Sequence, residues 1–67
     1  MERLRAARLK AGLSQKQAAE RLRRSQSYVS RSESGERRVD LVEALEFAAL
    51  YGIAIENILP VLKNDET

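Results

Sequence analysis

The sequence has no cysteine and no histidine. The first absence removes disulfide staples and thiolate chemistry. The second removes the commonest zinc ligand and the commonest proton shuttle near neutral pH. Tryptophan is also missing, and the aromatic residues are two Tyr and one Phe. No apolar run approaches the ~20 residues of a membrane span, so no membrane partner is expected. Met1-Glu2-Arg3-Leu4-Arg5 lacks the apolar core of a signal peptide, and a cytoplasmic location is expected. β-branched residues are few and no period-2 alternation persists, so there is no strand signal. What remains is 67 residues at 43% hydrophobic and 33% charged, too apolar to read as disordered. That composition predicts one small all-α domain, near the lower limit of what a core can hold together.

The net charge of +2 conceals an asymmetry. Residues 1–38 hold 11 Lys and Arg against 4 Asp and Glu, while residues 39–67 hold one Lys against 6 acids. Twelve of the 17 Leu, Ile, Val and Phe residues lie at or after Val39. A basic half is carried on an apolar, acidic half. This pattern fits a face that meets a polyanion; an uneven but merely solvated surface is the alternative.

Gly12, Gly35 and Gly52 each stand where a helix can end in the left-handed conformation. Between them the chain reads as a compact bundle of about five short helices. The first, over 3–11, sets Leu4, Ala7, Arg8 and Ala11 on one face. Arg8 is odd there, because an unpaired guanidinium should not face a core. Either it reaches outward or an acid meets it. The second helix opens at Ser14-Gln15-Lys16-Gln17, a capping box, with Leu13 and Ala18 at the staple positions. Ala18, Ala19 and Leu22 give it a narrow buried face. The third, capped by Ser25 and ending near Ser34, is Gln26-Ser27-Tyr28-Val29-Ser30-Arg31-Ser32-Glu33 before that end. Only Val29, and Tyr28 in part, offers a core side chain, so neighbours must hold this helix. A basic connector, Gly35-Glu36-Arg37-Arg38, leads to a second capping box at Asp40 and Glu43, with Val39 and Ala44 as staple. The fourth helix, over 41–51, is apolar almost all round and is expected to be central. A short fifth helix over 55–59 has only Ala54 at its cap position. The domain is expected over 1–62, with 63–67 a frayed tail.

Helix, tight turn and short polar helix over about 14–34 have the organisation of a helix-turn-helix. The major groove admits one helix and displays donors and acceptors that identify each base pair. A helix entering it must be polar outside and keep enough contacts inside to dock. Gln can pair with adenine and Arg with guanine, each through two hydrogen bonds.

Here the chain resembles the lambda-repressor/Cro-like (XRE) helix-turn-helix family. The resemblance rests on Leu13-Ser14-Gln15-Lys16-Gln17-Ala18-Ala19, Ser25-Gln26-Ser27-Tyr28-Val29-Ser30-Arg31 and Glu33-Ser34-Gly35, with Arg8 before them and Gly52 after. It covers roughly residues 4–59 and implies a lambda-repressor-like fold and double-stranded DNA as partner. It also implies Gln26, Ser27 and Arg31, with Ser30 a weaker candidate, as base-reading residues. Gln15, Ser34, Arg37 and Arg38 match phosphate-contacting positions. Glu33 matches the acid that pairs with a helix 1 arginine, here Arg8. Two residues depart from the pattern: Arg23 stands where Gly is often found, and Ser32 replaces a large apolar or aromatic side chain.

Several residues keep two readings at this stage. Tyr28 either packs or hydrogen-bonds a phosphate. Arg23 and Arg24 either add electrostatic affinity to DNA or are solvated. Gln15 also suits an early helical position, and Arg37 and Arg38 also suit a soluble linker. Ile55, Ile58, Leu59, Val61 and Leu62 either complete the core or form a homodimer interface. The reading is a sequence-specific transcriptional regulator, a repressor acting as a homodimer on a two-fold symmetric operator and so nucleoid-associated. The alternative is an antitoxin or adaptor-type protein-interaction module on the same fold. No catalytic residues, metal, cofactor or small-molecule ligand are expected. The six Ser have no His base. The acids do not form a paired acid/base site, and no glycine-rich phosphate loop is present.

Overall fold

Two capping boxes and three left-handed glycines divide the chain into its helices. The computed structural model describes residues 2–58. Over these it is all-helical: α1 (Glu2–Lys10), α2 (Gln15–Leu22), α3 (Gln26–Ser34) and α4 (Leu41–Tyr51), then a single 3-10 turn at Ile55–Asn57. In both boxes the cap side chain accepts from the third backbone amide of the helix. Ser14 Oγ takes the Gln17 N–H at 3.0 Å, and Asp40 Oδ1 takes the Glu43 N–H at 2.8 Å. The Gln17 and Glu43 side chains reach back to the cap amides. Ser25 caps α3 by accepting from the Tyr28 amide. Gly35 and Gly52 end α3 and α4 at φ 87° and 69°.

The expected fifth helix is only this 3-10 turn, and Leu59 lies outside the described residues. Ala54 supplies no side-chain cap bond, so nothing local holds a longer helix there.

The turn between α2 and α3 passes through Arg23 at φ 59°, ψ 42°, in the left-handed region. An L-residue is strained there by roughly 1–2 kcal/mol, where Gly is not. Its amide is anchored by Ala19 and Glu20 carbonyls. Arg23→Gly is expected to raise stability by about 0.5–1 kcal/mol, the strain relief offset in part by added unfolded-state entropy. A urea midpoint that stays put or falls would contradict this.

The core gathers Leu4, Ala7, Ala18, Ala19, Val29, Ala44, Phe47, Ala48, Tyr51 and Ile58. Five of these ten are Ala, which lets the helix axes approach closely. Phe47 is the largest fully buried side chain and has no exposed surface. Leu13, Leu22, Tyr28, Val39 and Ile53 close the margins.

Two expectations are corrected here. The fourth helix is not surrounded. It buries Ala44, Phe47, Ala48 and Tyr51 but leaves Leu41 54%, Val42 63% and Leu45 49% exposed. Ile58, expected at a subunit interface, is fully buried within its own chain, and Ile55 is half-buried against the same core. Leu59, Val61 and Leu62, the rest of that expected interface, lie outside the described residues.

Candidate nucleic-acid interface

α3 is polar because its two sides do different work. Val29, Ser32 and Glu33 are buried. Gln26, Ser27, Ser30 and Arg31 are all exposed, so the side chains that could meet base edges share the solvent side of a docked helix. Arg31 Nε lies 3.8 Å from Glu36 Oε1, with both side chains about two-thirds exposed (64% and 69%). Such an open pair contributes little and can be exchanged for another anion.

α3 is held from behind by an ion pair between distant parts of the chain. Arg8 Nε donates to Glu33 Oε2 at 2.6 Å, and Arg8 Nη2 donates to Glu33 Oε1 at 3.2 Å. Arg8 Nη1 donates to the Leu13 carbonyl at 2.9 Å. Gln15 Nε2 donates to Glu33 Oε1 at 3.1 Å. The side chains are 8% and 4% exposed. The hydrogen bond to Glu33 pushes the Arg8 guanidinium above its ordinary range, so it stays charged at all working pH. One cluster therefore joins α1, the start of α2 and the end of α3. Gln15, expected at a phosphate, is half-buried and tied to Glu33.

The second cluster surrounds Tyr28. Its ring stacks on Phe47 with centroids 5.8 Å apart and planes 17° apart. The Arg24 and Arg37 guanidinium carbons lie 4.7 and 4.4 Å from the ring centroid, within cation–π range. The Tyr28 hydroxyl oxygen is buried, and desolvation pushes its pKa up. Of the two readings of Tyr28, this geometry favours packing, because its polar tip is turned inward.

Arg37 is likewise drawn in. Its Nη1 and Nη2 donate to Glu43 Oε1 and Oε2 at 3.0 and 2.9 Å, and Nη1 also reaches Ser32 Oγ at 3.3 Å. Hydrogen bonds from Arg37 hold the Glu43 carboxyl below the usual carboxylate range. Arg24 pairs more loosely, with Nη2 3.7 Å from Glu46 Oε1 and both side chains over 40% exposed. Arg38 and Ser34 are exposed. Ser34 Oγ donates to the Arg31 carbonyl and accepts from the Glu36 amide.

No sequence signal named the Arg37–Glu43 pair. The six-residue separation crosses a connector, where helical spacing rules do not apply. The one hint was Ser32, a small side chain where a large one was expected, and Arg37 is what lies against it. Among the described residues there is no group of three or more potential metal-ligating side chains, and no helix is long and apolar enough to cross a membrane.

A docked polar helix, preceded by a capped helix and a tight turn, defines a helix-turn-helix protein. The chain belongs to the helix-turn-helix domain family, whose model matches residues 2–58. Neither the curated proteins nor the solved structures gave a match.

Proposed function

We propose that the protein is a sequence-specific DNA-binding transcriptional regulator, a repressor, that inserts α3 into the major groove. The observation that carries this reading is the exposed row Gln26, Ser27, Ser30 and Arg31 on a helix too polar to fold without its neighbours. Ser34, Arg38 and Arg24 contribute phosphate contacts, which set affinity, while the α3 row sets sequence choice. Two copies acting as a homodimer on a two-fold symmetric operator would enter successive major grooves about 34 Å apart. Ile58 is spent in its own core, so it is not among the side chains available for that contact.

Arg31→Ala is expected to cost about 1–3 kcal/mol on the preferred site and to relax preference at one base pair. Binding measured on a panel of single-base variants checks this. Equal losses on every sequence would remove Arg31 from base reading.

A second reading, a protein-interaction module, draws on the exposed Leu41, Val42 and Leu45. Salt-sensitive retention on random DNA separates the two: its absence leaves only the second.

A further inference from the structure

Arg37 has the charge and position of a phosphate ligand, yet its guanidinium is already committed. Both terminal nitrogens bond the two oxygens of one carboxylate, Glu43, at 3.0 and 2.9 Å. One of them also meets Ser32 Oγ, and the guanidinium carbon lies 4.4 Å from the Tyr28 ring centroid. Its backbone amide donates to the Arg31 carbonyl at 3.3 Å. Ser32 Oγ in turn donates to the Tyr28 carbonyl at 2.7 Å. Glu43 Oε1 also accepts the Asp40 amide, so the pair is part of the cap that starts α4.

These contacts reach every element around the connector. One side chain joins the C-terminal half of α3, the connector over 35–39 and the first turn of α4. The space it occupies is opened by Ser32, which is fully buried and small. The Glu43 side chain is 14% exposed. If Arg37 turned out to a phosphate, it would leave that carboxylate unpaired beside the polyanion, and the phosphate would repel it. The bidentate geometry resists such an exchange, whereas Arg24 and Arg31 sit in pairs of 3.7 and 3.8 Å at exposed sites and can trade an acid for a phosphate.

We propose that Arg37 is a positioning residue for DNA binding: it straps the connector to α3 and α4, fixes Ser34 and Arg38 relative to the groove-facing row, and neutralises Glu43 beside the DNA. This rests on the DNA-binding reading above. A neutral pair releases no counterions, so Arg37 should add nothing to the salt dependence of binding, while its loss should weaken binding by loosening the connector without removing a phosphate contact.

The test measures binding of random-sequence duplex DNA across a potassium chloride series, each variant held well below its melting temperature. Arg38→Ala, the reference, is expected to lower the log–log salt slope by about 1. Arg37→Ala is expected to bind several-fold more weakly with the wild-type slope. Arg37→Lys keeps the charge but cannot make the bidentate contact, and is expected to bind as Arg37→Ala does. Loss of about 1 from the slope in Arg37→Ala, restored in Arg37→Lys, would make Arg37 a direct phosphate ligand and overturn the proposal. Unchanged affinity and slope in Arg37→Ala would overturn it equally. If Arg37→Ala does not fold, Arg37→Ala combined with Glu43→Gln removes the stranded carboxylate and takes its place, with the same expectations. Should the wild-type protein show no salt-sensitive DNA binding, the regulator reading fails and the proposal with it. A melting cycle over Arg37→Ala, Glu43→Gln and the double variant would then show separately whether the strap itself exists.

Discussion

Arg8→Ala is expected to remove about a third or more of the protein's folding stability. Removing one member of a buried ion pair costs about 3–5 kcal/mol, because the remaining charge is stranded. A chain of this size has roughly 3–10 kcal/mol of total stability. The Arg8 and Glu33 side chains are 8% and 4% exposed, so solvent cannot rescue the survivor. The Leu13 carbonyl would also lose its guanidinium donor, and the Glu33 carboxylate that Gln15 holds would lose the Arg8 charge. Glu33→Ala is expected to be as damaging for the mirror reason. Exchanging both partners for apolar side chains of similar volume should recover part of the loss, since a well-packed apolar pair often matches a buried ion pair. Recovery stays incomplete because the Leu13 carbonyl still lacks that donor. Circular dichroism through urea titration reads each variant. A loss below about 1 kcal/mol in Arg8→Ala would show that the pair is solvated and carries little, as exposed pairs do.

Phe47→Ala is expected to cost about 3–5 kcal/mol, the range for truncating a large buried aromatic ring. Here the loss has a particular consequence. The ring is fully buried and lies between Tyr28 on α3 and Tyr51 further along α4, with centroids 5.8 and 5.9 Å away. Half of the core residues are Ala, which cannot move in to fill the space. Tyr28 is the main aromatic anchor of α3, so the cavity loosens that helix as well as the core. DNA affinity is therefore expected to fall further than the folded fraction alone explains. Thermal melting and DNA titration of Phe47→Ala and the milder Phe47→Leu check this together. Equal affinity per folded molecule in both variants would contradict the link through Tyr28.

Local chemistry was the legible part of this fold. Ser14 with Gln17, and Asp40 with Glu43, mark helix starts through bonds made within four residues, and both boxes are formed. Gly35 and Gly52 mark helix ends because only their backbone takes the left-handed conformation without strain. Arg8 could be seen as misplaced on an apolar stripe, but a partner 25 residues away follows from no spacing rule; the family resemblance supplied Glu33. What stayed hidden depends on which side of each element has neighbours. An apolar stripe all round α4 does not reveal that too few helices exist to cover it, leaving Leu41, Val42 and Leu45 outside. Ile58 could equally have lain inside or at an interface. Tyr28 and Arg37 have apolar stems and polar tips, so either end can face inward, and only packing decides. The exposed polar row on α3 was legible as composition, since Gln, Ser and Arg leave a short helix little else to offer.

The most direct measurement is selection of bound sequences from a random duplex pool by the wild-type chain at low salt. Enrichment of a two-fold symmetric motif, its half-sites one helical turn or a multiple apart, is the expected result. A pool that remains unenriched would contradict sequence reading by α3.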